Sequence, residues 1–144
     1  MVEVRITHEA DYAIRMTALL AMRGEKLGAR QIAEESGVTQ RFTLKILRRL
    51  MMEGVITSFK GIKGGYALAK DPSELSIGQI IEIIDGPIAI NHCLNDEFSC
   101  TRVDDKADCS IHKVFCIVNK KIRDELYATK LGSVLEKECG HQDK

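Results

Sequence analysis

Residues 29–53 constrain this chain more than any other stretch. ARQIAEESG (29–37) reads as a short helix with Ile32 and Ala33 facing inward. Gly37 makes a turn, and Thr39 is placed to cap a further helix over about residues 40–53. In that helix Ile46, Leu47, Leu50 and Met51 fall on the core side. Arg41, Lys45, Arg48 and Met52, at i, i+4, i+7 and i+11, share the outward face. Helix, tight Gly turn and helix is the spacing of a helix-turn-helix. A basic outer face on its second helix suits the phosphates and guanine edges of a DNA major groove.

The next stretch fits that reading. Gly54 ends the helix, and VITSFKGIKGGYALAK reads as a β-hairpin with strands at 55–59 and 66–69. Its tip, 60–65, holds Lys60 and Lys63 among Gly61, Gly64 and Gly65, and suits a phosphate or minor-groove contact. It is not a P-loop, because the G-x-x-x-x-G-K-[ST] order is absent. Ahead of these parts, residues 7–23 read as a first helix. Thr7 is its cap, Ile6, Ala10, Ala13, Ile14, Thr17, Leu20 and Ala21 recur at helical spacing, and Gly24 is its stop. Asp11, in its first turn, reads on its own as a carboxylate favoured by the helix dipole.

Charge separates the two halves. Residues 28–70 carry eight Lys/Arg against three Glu, while residues 71–144 carry nine against fourteen Asp/Glu. A basic middle beside an acidic remainder points to a polyanion partner for the first. No basic n-region precedes an apolar run, and no apolar run reaches the length of a membrane span, so a cytoplasmic location without membrane contact is expected. No substrate-binding or catalytic motif stands out, and the chain does not read as an enzyme.

The second half opens with Asp71-Pro72 and a capping box, Ser76 to Gln79, that starts a helix with Ile77, Ile80, Ile81 and Ile84 inward. Gly86-Pro87 closes it. Residues 86–112 then form a long loop with little helical or strand period, which in a compact domain is usually functional. Cys93, Cys100 and Cys109 stand in it at C-x6-C-x8-C, followed by Cys109-x2-His112. Five cysteines in a chain without a signal peptide read as metal-binding or redox-active rather than as a disulfide framework. Structural zinc sites bring ligands in tight pairs, and only Cys109 and His112 are tight here. Wide spacing fits the larger body of an iron–sulfur cluster better, and thiol chemistry is a third option. Cys109 precedes a helix N-terminus, a position that suits an anionic group. His92 is a weaker ligand candidate, and Cys116 and Cys139 read as incidental.

Ser110 is expected to cap a long helix over about 111–130. Ile111, Val114, Phe115, Val118, Ile122 and Leu126 form its apolar stripe, which points to a helix–helix homodimer. The tail after Gly132 is expected to fray.

Taken in order, these parts resemble the IscR/NsrR-like family of iron–sulfur cluster regulators, which are winged helix-turn-helix transcription factors. The resemblance is carried by RITHEADYAIRM, QIAEESGVTQRFTLKILRRL, EGVITSFKGIKGGYALAKD, SIGQIIEIIDG and the three-cysteine loop. It implies a mainly α fold with a small β-hairpin wing. A DNA-binding domain (1–75) would be followed by a connecting helix, the cysteine loop and a dimerisation helix (76–144). It implies a homodimeric regulator, commonly a repressor, on palindromic double-stranded DNA, with Thr39, Gln40, Arg41, Phe42 and Lys45 at the major groove. Lys60 stands where IscR-like members often carry a minor-groove Arg.

Cys93, Cys100 and Cys109 match the family's cluster thiolates. IscR-like members show C-x5-C-x5-C-x2-H, and both cysteine gaps are longer here. The retained His112 favours a [2Fe–2S] cluster. Asp11 falls where NsrR-like members supply a ligand to a [4Fe–4S] cluster from the partner subunit. Two alternatives accompany this reading: a winged-helix regulator whose loop acts by thiol or zinc chemistry, and an iron–sulfur electron-transfer protein.

Overall fold

The computed structural model describes residues 5–95 and 99–139. Residues 96–98 of the cysteine loop and 140–144 of the tail lie outside them. The order is α1 (His8–Arg23), α2 (Ala29–Ser36), α3 (Gln40–Met52), β1 (Ile56–Phe59), β2 (Gly65–Leu68), α4 (Ile77–Asp85), α5 (Ser110–Ala128) and α6 (Leu131–Cys139). This is the mainly helical fold with a two-stranded wing that the sequence predicts.

The caps explain where the first helices begin. Thr7 accepts from Ala10 N–H, Thr39 from Phe42 N–H and Ser76 from Gln79 N–H, and each such cap contributes about 1 kcal/mol. The apolar faces of α1, α3 and α4 close over one core that includes Met16, Leu20, Ile32, Ile46, Leu47 and Ile80. That core crosses residue 75, taking in Leu75, Ile84 and Leu131.

Two side chains depart from the helical pattern. Met51 is 37 % exposed, because it lies at the edge of the α3 stripe; Thr43, nearer the stripe's centre, is buried in its place. Ile6 is also 37 % exposed, since it precedes the Thr7 cap and lies outside α1.

β1 pairs antiparallel with β2, Ile56 opposite Leu68 and Phe59 opposite Gly65. The tip closes at Gly64, where a Cβ would stand 2.2 Å from the Phe59 carbonyl oxygen. No other residue fits that turn. Leu27 and Tyr66 exchange backbone hydrogen bonds at 2.9 and 2.8 Å, which ties the wing to the segment before α2.

The C-terminal part departs further from expectation. The cap of α5 is Cys109, in extended conformation, and Ser110 is already helical. The tail is not frayed through residue 139: α6 follows α5 after Thr129, with Leu131 only 1 % exposed. Gly132 lies inside α6. Its N–H donates to the Pro72 carbonyl at 2.9 Å, and a Cβ there would stand 3.2 Å from Ser73 N. Leu131 N–H donates to Leu75 O at 2.8 Å and Ile77 N–H to Thr129 O at 3.0 Å, so α6 is tied back to the start of α4.

Candidate functional site

Two surfaces collect the residues singled out in the sequence. The first is the outward face of α3 with the wing. Thr39, Gln40, Arg41, Lys45 and Arg48 are exposed, and Phe42 is half-buried, edge-on to Tyr12 at 5.6 Å. Lys45 pairs with Glu9 of α1 at 2.7 Å. An exposed pair of this kind contributes little, about 0–1 kcal/mol, so Lys45 is cheaply released to a phosphate. Lys60 and Lys63 are exposed at the wing tip, flanking a fully exposed Ile62. Lys26 lies 4.8 Å over the ring of Phe59, at the tip end of β1.

The second surface is the cysteine loop. Cys93 sits on a short 3-10 turn, residues His92–Leu94, capped by Asn91. A second turn, Lys106–Asp108, delivers Cys109 to the start of α5. Lys106 Nζ reaches the Asn95 carbonyl at 2.6 Å and joins the two turns. The result is a cavity of about 220 Å³ lined by Cys93, Cys100, Cys109, His112, Asn91 and the basic pair Arg102 and Lys106, with Val103 and Ile111. All three expected thiols and His112 therefore converge on one space.

The chemistry of that space is uneven. Cys109 is 7 % exposed, and its side chain makes no cap hydrogen bond. Backbone N–H groups of Arg102 and Val103 point at the Cys100 sulfur and, with the charges of Arg102 and Lys106, hold its thiol below the ordinary cysteine value. His112 Nδ1 is buried and has no hydrogen-bond partner, while its Nε2 lies 3.3 Å from Cys116 Sγ. Among the described residues no three His, Cys, Asp or Glu side chains are grouped tightly enough for a single metal ion. Three soft thiols, an imidazole with an unpaired nitrogen, cationic neighbours and a helix N-terminus suit a thiolate-bound anionic group larger than one ion.

Asp11 does not line this cavity; it pairs with Arg15 at 2.9 Å on α1. His92 does not line it either.

Several residues that hold the loop escaped the sequence reading. Asn119 of α5 accepts from Ile90 N–H at 3.1 Å and donates to Ile88 O at 2.8 Å, clamping the loop's first residues. Glu82 of α4 accepts from Ile88 N–H at 3.1 Å, from Arg123 Nε at 2.9 Å and from the Tyr127 hydroxyl. Burial pushes the Glu82 carboxyl up, but the hydrogen bonds of Arg123, Tyr127 and Ile88 outweigh it and leave the pKa lowered. An Asn in mid-helix, where it is a poor helix former, was the one available signal for the clamp.

The remaining face of α5 is bare. None of its residues is buried, and Ile111, Val114, Ile117, Val118 and Ile122 are 38–58 % exposed. Phe115 and Leu126 are half-buried.

Comparison with known proteins agrees with this layout. Residues 6–137 match the model of Rrf2, described as an iron-dependent transcriptional regulator. The chain belongs to the Rrf2 family. An rrf2-like HTH-type transcriptional regulator of Rhodobacter capsulatus is 38% identical over 120 residues, covering 78% of this chain and 80% of the relative. Among solved structures, IscR of T. potens superposes with a TM-score of 0.70 at 24% identity, over 93% of this chain and 88% of the other. CymR, the global cysteine regulator of B. subtilis, superposes with a TM-score of 0.76 at 18% identity, over 94% and 98%. The resemblance read from the sequence is borne out. This Rrf2 chain is a DNA-binding transcriptional regulator and not an enzyme, which sets aside the electron-transfer alternative. Among the described residues no helix is long and apolar enough to cross a membrane.

Proposed function

We propose that this Rrf2 protein is a homodimeric regulator, a repressor in its basic mode, that senses iron–sulfur supply or redox state through a cluster held by Cys93, Cys100 and Cys109. The observation that carries the reading is the convergence of these thiols and His112 on one cavity at the start of α5. His112 is the fourth ligand in this reading. It lines the cavity and offers a buried, unpaired nitrogen, which favours the [2Fe–2S] form. Asp11, the ligand of the [4Fe–4S] alternative, would have to arrive from a partner protomer. When bound, such a cluster supplies a centre sensitive to iron, nitric oxide or oxidants.

The protein's own contacts then give a route from loop to DNA face. An ordered loop keeps Ile88 and Ile90 on Asn119 and Ile88 on Glu82. Glu82 and Asp85 lie on α4, and Asp85 accepts from the backbone and hydroxyl of Thr7, the cap of α1. From α1, Glu9 holds Lys45 and Tyr12 packs on Phe42. A change in loop order is thereby felt at the base of the recognition helix. In a dimer joined through the bare stripe of α5, it sets the placement of two α3 helices on half-sites about one DNA turn apart.

The experiment is anaerobic purification and reconstitution, with iron, sulfide and zinc measured beside the absorption spectrum. Iron and sulfide in equal amounts, abolished by serine at Cys93, Cys100 or Cys109 and altered by H112A but not D11A, are expected. Zinc alone, or no metal, removes the cluster reading.

A second reading is a thiol switch. It is favoured by the lowered pKa of Cys100, a thiol made more reactive by backbone N–H groups and nearby cations, and by the fold shared with CymR. Metal-free protein whose DNA affinity follows Cys100 oxidation would select it.

A further inference from the structure

The wing ends in a turn that carries only two side chains. Gly64 N–H donates to the Gly61 carbonyl at 3.0 Å, which closes Gly61-Ile62-Lys63-Gly64 as a four-residue turn with Ile62 and Lys63 at its centre. The glycines at its corners are needed by the backbone. Gly61 has a φ of +99°, and a Cβ at Gly64 would collide with the Phe59 carbonyl oxygen. Behind the turn the hairpin is pinned: Tyr66 exchanges hydrogen bonds with Leu27, and a Cβ at Gly65 would stand 2.7 Å from the Leu27 carbonyl oxygen. The tip is therefore a narrow, supported end that presents one apolar and one cationic side chain.

Ile62 is as exposed there as in an isolated peptide, at 108 %. Among the described residues the next most exposed large apolar side chain, Met52, reaches 75 %. A single exposed aliphatic is ordinary by itself. Its neighbours decide the matter here. Lys60 and Lys63 stand exposed on either side of it, so a surface that receives Ile62 must be anionic at its edge and apolar within. A DNA minor groove has that character. It is about 6 Å wide, which suits a turn with glycine corners, its rims are phosphates, and stacked bases form its floor. Aliphatic side chains that enter there part a base step and kink the duplex. A β-branched side chain suits the task, because its χ1 is already restricted and little rotamer freedom is lost.

We propose that Ile62 is a wedge that enters a base step in the minor groove, so that this regulator bends the DNA it binds. Lys60 and Lys63 take phosphates beside that step, which is a flexible pyrimidine–purine step, easily unstacked. The inference rests on the wing reaching the minor groove and not on the cluster.

The test uses the full chain, in whichever form, metal-free or reconstituted, retains DNA, and a short duplex that it selects from a random pool. Energy transfer between dyes at the two ends reads the bend. The fluorescence of 2-aminopurine, placed at successive adenines, reads unstacking. The native chain is expected to bend the duplex by about 20–90° and to brighten 2-aminopurine at a minor-groove step. I62A should lose the brightening and most of the bend while the salt slope of binding stays unchanged, because no charge is removed. I62L should keep both signals. A native complex with every base stacked, or an I62A complex as bent and bright as the native one, overturns the proposal. K63A separates the two ways of failing. A lowered salt slope in K63A beside stacked bases means that the wing touches DNA without a wedge, and an unchanged slope means that the wing does not reach DNA.

Discussion

Helices α3 and α5 are both amphipathic, and they use their apolar sides in opposite ways. In α3 the stripe of Ile46, Leu47 and Leu50 is at most 1 % exposed, and the basic side faces solvent. In α5 the aliphatic stripe is open, while the polar side, Asn119, Arg123 and Tyr127, does the holding. Periodicity reports that a face is apolar; it does not report what covers it. In α3 the cover is the protein's own core. For α5 a second copy of the chain supplies it in the reading proposed here, because a row of five large aliphatics left to water would promote association in any case.

The largest effect that sharpens this contrast is in the core. Leu47→Ala is expected to cost about 2–5 kcal/mol in denaturant unfolding, since Leu47 is fully buried. Val118→Ala, 40 % exposed, should cost well under about 1 kcal/mol in a lone protomer. Its loss should instead depend on protein concentration, and Val118→Glu should give a monomer in analytical ultracentrifugation. A Val118→Glu protein that sediments as the native one would dissolve the contrast.

Next in size is the exposed side of α3. Arg41→Ala is expected to lose about 1–3 kcal/mol of discrimination between operator and unrelated DNA, as for an arginine on a base edge. Equal affinity losses on all sequences would move Arg41 from base reading to phosphate contact.

How much of this could be read beforehand follows from the same contrast. Local signals were legible: the caps Thr7, Thr39 and Ser76, the turn at Gly37 and the wing around Gly64 each leave a mark within a few residues. The convergence of Cys93, Cys100 and Cys109 was anticipated from residue type. Its enclosure by Arg102 and Lys106 was not, though both are basic residues in an acidic half. Long-range contacts left no local mark. Asn119 reaches 31 residues back to Ile88. The expectation that the tail after Gly132 frays fails for the same reason, because the close approach of Gly132 to Ser73 is invisible in sequence. Residue type points to Ser110 as the cap of α5, yet the backbone places Cys109 there.

A smaller effect tests the clamp between α4, α5 and the loop. The Glu82 carboxylate is stabilised in the folded chain, so its folded pKa lies below the ordinary 4.5. Stability from this group is therefore fully present above the unfolded value and is lost as pH falls through the folded one. Glu82→Gln should cost about 1 kcal/mol at neutral pH, a modest figure because Arg123 is half exposed. It should also flatten the acid limb of the stability profile. Native and Glu82→Gln profiles that stay parallel below pH 5 would assign the acid loss to other carboxylates.

The smallest effect lies at the wing. Lys63 is exposed at the hairpin tip, and its replacement should leave folding and metal content unchanged. If it meets a phosphate, Lys63→Ala weakens binding to all sequences alike and lowers the slope of log K against log salt by about 1. That outcome separates the two basic surfaces by mechanism, with α3 reading bases through a planar guanidinium and the wing anchoring through a point charge. A specificity change at Lys63 with an unaltered slope would reverse the assignment and make the wing the reader. The salt titration decides between them because a lost counterion-releasing contact changes the slope, whereas a lost base contact shifts affinity at every salt concentration by the same factor.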